Sequence, residues 1–361
     1  MHRRAFLQSV STLMAALALY SCGGERPREA PVEARDETRD ESAIGERQVM
    51  TVRGPISASE LGVTLTHEHV LANFQSYEEW ARNPLTYDQD EVVKVVLPYL
   101  TRIHELGCRT FVDATASFLG RDPALIRRLS EESGLHMLTV TGNYAAVENR
   151  FIPTYVYSDS TEELAQRWID EWENGIGDTG IRPGFIKLGF NGAALTDVEQ
   201  KLIDAAAMTH LATGLTIGAH TGPAVSAFEQ LASLEAAGVH PSAWIWIHAH
   251  NEKDLNRHIE AARRGAWISF DGLSADSVSE FVKKVARLRD EGLLNRVLVS
   301  QDAGWYTVGE PRGGDFRTFE TVFTEFIPAL RDAGFTDAEI DTLFIDNPAN
   351  AFSIGIRRDD A

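Results

Sequence analysis

The sequence predicts an α/β fold, a (β/α)8 TIM barrel with a binuclear metal site at the C-terminal ends of its strands. Three observations predict it. Strand-like and helix-like stretches alternate from residue 49 onward, the pattern of a parallel sheet with crossover helices. Apolar runs along the chain end in metal-capable side chains: His67 and His69, then Lys187, His220, His248 and Asp302. A parallel barrel is the architecture that collects many such strand ends on one face. The 361-residue length fits one barrel, and no apolar run after the first 25 residues is long enough to span a bilayer.

The first 22 residues read as an export signal and stand outside the fold. Arg3-Arg4-Ala5-Phe6-Leu7 resembles a twin-arginine signal, and the apolar stretch Leu13 to Tyr20 is too short for a transmembrane helix. Leu19-Tyr20-Ser21-Cys22 resembles a bacterial lipobox, which makes Cys22 the lipidation site, an ordinary secretory signal being the other reading. The expectation is an exported lipoprotein on the periplasmic face or cell surface, touching the membrane only through its anchor. Residues 23–48 are rich in Glu, Asp, Arg and Pro and nearly free of large apolar side chains, so they predict a disordered acidic tether. Cys108 then has no partner and reads as buried packing.

Within the domain at 49–361, Met50 to Ile56 predicts a small hairpin closing the barrel bottom. The eight strands fall near 63–67, 109–114, 136–142, 184–188, 215–220, 243–248, 266–271 and 296–302. Helical spacing marks Asp90–Leu106, Glu162–Trp172, Asp197–Thr213, Ala224–Ala237 and Val278–Glu291, with Gly107, Gly214, Gly238 and Gly292 as stops. Ser160 and Thr196 are N-cap candidates, each followed three residues later by Glu. Asp346 to Phe352 predicts a capped last helix. The loops after strands one, three and eight are the longest, and such loops on a barrel's top face shape a pocket.

The formal net charge of −19 argues against binding nucleic acid through phosphates. In Gly62-Val63-Thr64-Leu65-Thr66-His67-Glu68-His69 the two-residue period puts both imidazoles on one side of the strand and Glu68 on the other. Alone, that pair fits a hydrogen-bonded core equally well. With His220, His248 and Asp302 at other strand ends, the donors exceed what one open zinc site needs, so two divalent ions are expected. Imidazole and carboxylate suit Zn²⁺, with Mn²⁺, Co²⁺ and Fe²⁺ as alternatives. Lys187, amid Phe185, Ile186, Leu188 and Phe190, carries a desolvation cost that lowers its pKa. From spacing alone it reads equally as a salt-bridged lysine. His250 mimics the first pair's spacing to His248 but falls in the following loop, and His104, His136, His210, His240 and His258 fall away from the top face.

These stretches, with Gly180 to Lys187, Ala219-His220-Thr221, Ile247-His248 before Asp254-Leu255, and Val299 to Asp302, resemble the phosphotriesterase family of the amidohydrolase superfamily in order and spacing. The resemblance runs from about residue 50 to the end. It implies that His67, His69 and Asp302 bind a buried metal, that His220 and His248 bind an exposed one, and that Lys187, as N6-carboxylysine, bridges both. It implies hydrolysis by a hydroxide shared between the metals, with Asp302 as the base. Val140-Thr141-Gly142-Asn143-Tyr144 carries a tyrosine, as phosphotriesterase-like lactonases do, so Tyr144 is the expected catalytic and pocket residue, with Phe190, Trp305 and Tyr306 as further wall. The expected substrate is a small lactone or ester, the alternatives being a phosphotriester or phosphoester, or a non-catalytic metal-bearing lipoprotein. Family barrels often pair, so a homodimer is a further expectation. Gly272 and Asn251 depart from the family's proton relay, and Trp305 to Pro311 reads as a divergent loop, which points to a distinct substrate.

Overall fold

The computed structural model describes residues 47–359. The export signal, Cys22 and nearly all of the tether lie outside the described residues. β1 (Gln48–Thr51) pairs antiparallel with β2 (Gly54–Ser57), with Gln48 facing Ser57. Val49, Ala58 and Leu61 pack with Phe352 under Leu138, Val140, Phe185 and Leu298, so the hairpin and the C-terminal helix close the bottom of the barrel. Phe185 and Phe352 meet edge to face at 5.3 Å, a favoured aromatic geometry.

The barrel consists of β3 (Thr64–Ala72), β4 (Thr110–Asp113), β5 (His136–Leu138), β6 (Val140–Thr141), β7 (Phe185–Gly189), β8 (Ile217–His220), β9 (Trp244–Ile247), β10 (Trp267–Phe270), β11 (Val297–Val299) and β12 (Gly304–Thr307). Hydrogen bonds run in the order β6-β7-β8-β9-β10-β11 and, in a second ladder, β5-β4-β3-β12, every pair parallel. β5 and β6 are two halves of the third strand, and β11 and β12 two halves of the eighth. The two ladders therefore join into one ring of eight.

The divided eighth strand corrects the sequence reading, which placed a loop after Asp302. β11 pairs with β10, the chain breaks over 300–303, and β12 then pairs with β3. Asp302, Gly304 and Trp305 take φ values of 50°, 95° and 74°, which turn the chain across the gap. Only glycine fits at 304, because a Cβ there would lie 1.8 Å from the His69 carbonyl oxygen. Glu68 closes the seam from the far side of β3. Its carboxylate accepts from Ser300 Oγ at 2.8 Å, the Gln301 backbone at 3.0 Å and the Ala303 backbone at 2.7 Å. Burial pushes its pKa up to about 7, and these bonds pull against that rise.

Ser160 and Thr196 form capping boxes with Glu163 and Glu199, and Gly214 ends the helix Asp197–Thr213 in the left-handed conformation. The last helix, Asn347–Phe352, differs from expectation. It has no side-chain cap, because the segment Thr342–Asp346 runs into it already helical.

Candidate metal centre

The upper barrel interior gathers all six side chains singled out from the sequence. His67 Nε2 lies 3.2 Å from His69 Nε2 and 3.4 Å from Lys187 Nζ, while His69 Nε2 lies 3.0 Å from Asp302 Oδ1. The His248 ring is 5.0 Å from that of His67 and 4.3 Å from that of His220. Each side chain arrives from a different strand end, apart from the β3 pair. Gly142 lets the third strand pass over Lys187: its φ is 107°, and a Cβ there would lie 2.4 Å from the lysine carbonyl oxygen.

Two residues behind the imidazoles were not singled out as site residues. Asp271, fully buried after β10, lies 3.1 Å from His67 Nδ1 and 2.6 Å from His248 Nδ1. Thr115 Oγ1 lies 2.8 Å from His69 Nδ1, and the Asp113 carboxylate accepts the Thr115 backbone N–H. A carboxylate only accepts, so the partners assign Nδ1–H tautomers to His67 and His248 and turn their Nε2 lone pairs toward the cavity. The sequence signal was present: Asp271 ends the run Trp267–Phe270 much as Asp302 follows Val297–Val299.

The electrostatics hold these groups in ligand-ready forms. Burial, then the charge of Lys187, lowers the His67 pKa to about 3. Burial, then His248 and Lys187, holds His220 well below the ordinary imidazole value. Burial raises the carboxyls of Asp302 and Asp271, yet contact with His69 and the neighbouring His67 outweigh it at Asp302. At Asp271 the adjoining His248 and His67, each donating Nδ1–H, prevail, so both stay ionised. Lys187 is 1% exposed, and burial brings its pKa down to about 8 against the pull of Asp271 and Asp302.

These residues fit divalent cations. The Nε2 atoms of His67 and His69 converge at 3.2 Å, and the His67 Nε2 carries a lone pair. Asp302 Oδ1 is buried and its approach to His69 Nε2 gives no hydrogen bond, so it too presents an unused lone pair. Among the described residues, two groups could hold an ion: His67, His69 and Asp302, and His67, His248 and Asp271. In the second, Asp271 already accepts the Nδ1 protons of both histidines and so supports ligands from behind.

The enclosed space among these groups is about 20 Å³, room for about one water molecule. Tyr144 and Trp305 border it: the Tyr144 hydroxyl is 2.8 Å from His220 Nδ1, and the Trp305 ring stacks on His69 at 3.7 Å. Phe190 and Tyr306 do not join them. Lys187 faces inward, so the two-residue period turns Leu188 and Phe190 outward into the layer between barrel and helices. Tyr306 packs on Gly313 and interacts with Glu91 of the helix Gln89–Glu105. His250 sits behind the centre, with Nδ1 3.4 Å from Asp271 Oδ1, in space that a side chain at Gly272 would occupy. His104, His210 and His258 lie on helices, as read from the sequence.

A (β/α)8 barrel with an ionised carboxylate and imidazole lone pairs gathered at its strand ends is the frame of a metal-assisted hydrolase. The chain belongs to the phosphotriesterase family, whose model matches residues 47–352. It is 31% identical over 301 residues to a phosphotriesterase homology protein of Escherichia coli, covering 82% of this chain and 100% of that protein. An aryldialkylphosphatase of Saccharolobus solfataricus is 26% identical over 82% of this chain and 97% of its own length. The human N-acetyltaurine hydrolase is 24% identical over 83% and 96%. The chain is thus a phosphotriesterase-family hydrolase, and its family acts on small molecules.

Proposed function

We propose that the chain hydrolyses a lactone or carboxylic ester with two divalent cations, zinc before manganese, cobalt or iron. His67, His69 and Asp302 would hold the inner cation and His220 and His248 the outer, with Lys187 carboxylated between them. When bound, the cations lower the pKa of a shared water and polarise the substrate oxygen. Asp302, held ionised beside the inner cation, would take the proton and pass it to the leaving group. Burial, then the charge of Asp302, keeps Tyr144 protonated as a hydrogen-bond donor. Trp305 supplies the apolar wall.

The observation that carries this reading is the Tyr144 hydroxyl, 2.8 Å from His220 Nδ1: with the ring proton on Nδ1, the hydroxyl accepts there and keeps its own O–H for a ring or ester oxygen. A second reading, phosphotriester hydrolysis, rests on the name of the Saccharolobus relative, aryldialkylphosphatase. Initial rates on a panel of γ- and δ-lactones and on a diethyl aryl phosphate, for one metal-assayed preparation, separate the two. Faster lactone turnover supports the proposal; organophosphate rates well above it support the second reading. We further propose export and lipid attachment at Cys22. Metabolic labelling with a radioactive fatty acid tests this, and an unlabelled Cys22→Ser variant beside a labelled parent is the expected result.

A further inference from the structure

We propose that a second cavity, separate from the metal centre, binds a small neutral aromatic carboxamide. This cavity measures about 330 Å³, within the range of small-molecule sites. It shares no lining residue with the space among the metal-capable groups. The turn after β4 divides the two: Leu119 borders the metal centre, while Phe118 and Gly120 border the second cavity.

The walls select a flat guest. Trp80, Phe118, Tyr155 and Trp168 border the space, and Trp80 and Phe118 meet edge to face at 4.9 Å. Phe118 is held at φ 62°, a conformation that a bulky residue adopts only where its surroundings enforce it. Such backbone strain gathers at ligand sites.

The polar groups decide the rest. Arg121 donates two 2.7 Å bonds to Glu171 and one of 2.8 Å to the Val140 carbonyl, and Thr141 Oγ1 adds a 2.6 Å bond to Glu171. The pair is neutral as a unit and largely buried, with side-chain exposures of 11% and 25%. A charged ligand would lose its hydration there without finding a counter-charge. A neutral dipole meets complementary groups instead. Arg121 has N–H groups beyond these three bonds, Glu171 Oε1 keeps a second lone pair beside the Arg121 bond, and Ser117 adds a hydroxyl to the cavity wall. An aryl carboxamide offers a carbonyl to the first, an N–H to the second, and a ring to the aromatic walls.

The test is a ¹⁹F NMR titration of the full chain with 4-fluorobenzamide, run on metal-loaded and chelated protein. The Leu85→Trp variant changes an exposed residue on the cavity rim and places an indole across its mouth. The expected result is saturable binding that survives chelation. Binding should fall by at least about tenfold in the variant, whose circular dichroism matches the parent. The 4-fluorobenzoate and 4-fluorobenzylamine analogues should bind at least about tenfold more weakly, since each brings an uncompensated charge. Absence of saturable binding, loss of binding on chelation, equal binding by Leu85→Trp, or equal affinity for a charged analogue would each overturn the proposal.

Discussion

Asp271 grips His248 at both its backbone and its ring: Oδ1 lies 2.6 Å from Nδ1, and both oxygens lie 3.1 Å from the backbone nitrogen. The same carboxylate reaches His67 across the barrel, so one buried charge orients histidines from two strands.

Replacing Asp271 by Asn leaves one oxygen to serve two imidazoles, and one ring must turn or lose its partner. Metal affinity should fall by roughly 10–100-fold, the usual cost of losing such a support. Competition against a chromogenic chelator measures it. Unchanged affinity would confine Asp271 to packing.

Carboxylation of Lys187 is checked by ¹³C NMR of protein exchanged into labelled bicarbonate. One carbamate resonance is expected in the parent and none in Lys187→Met. Metal content should drop from about two to about one per chain in that variant, since the bridging anion is gone. A parent without the resonance, yet holding both metals, would show that the amine stays uncarboxylated.

At Tyr144 the ring and the hydroxyl separate by substitution. Tyr144→Phe keeps the wall and removes the donor, and kcat/KM for lactones should fall by about tenfold, the worth of one hydrogen bond of roughly 1–1.5 kcal/mol. Organophosphate turnover should change less. A uniform loss on both substrates would point to a disturbed His220 instead.

His258, which is not among the proposed ligands, predicts an acid sensitivity. Its Nε2 lies 2.7 Å from the Ala249 carbonyl, Nδ1 is buried without a partner, and burial lowers the pKa to about 4. The unfolded chain takes up this proton near pH 6.5, whereas the folded chain resists it until about pH 4. Stability from this group is therefore complete above pH 6.5 and lost as pH falls through that window, by up to about 3 kcal/mol. Urea midpoints at pH 7 and pH 5 should diverge more in the parent than in His258→Gln. Equal divergence would assign the sensitivity to other groups.

The alternation of apolar runs made the eight strands legible, since each carries its own period or burial signal. Repetition of a metal-capable residue at the strand ends did the same for His67, His69, Lys187, His220, His248 and Asp302. What escaped depends on contacts between distant segments. Asp271 and Thr115 become supports only once the ring has closed, although each follows a strand. Phe190 was misplaced because proximity to Lys187 in sequence was given more weight than the face its parity selects. Trp305 and Tyr306 read as loop because glycine and positive φ angles hide a short strand whose partner lies more than two hundred residues earlier.

The divided eighth strand ties recognition to construction. Trp305, which borders the space among the metal-capable groups, is part of β12, the segment that closes the ring against β3, and Asp302 sits in the gap just before it. In a barrel whose closing strand is continuous, the following loop can diverge freely while the frame stands. Here a lineage that altered this wall to admit a new substrate would also be revising the frame's last joint. Specificity at this position is expected to diversify slowly, and the loops after the first and third strands offer the less constrained route to new chemistry.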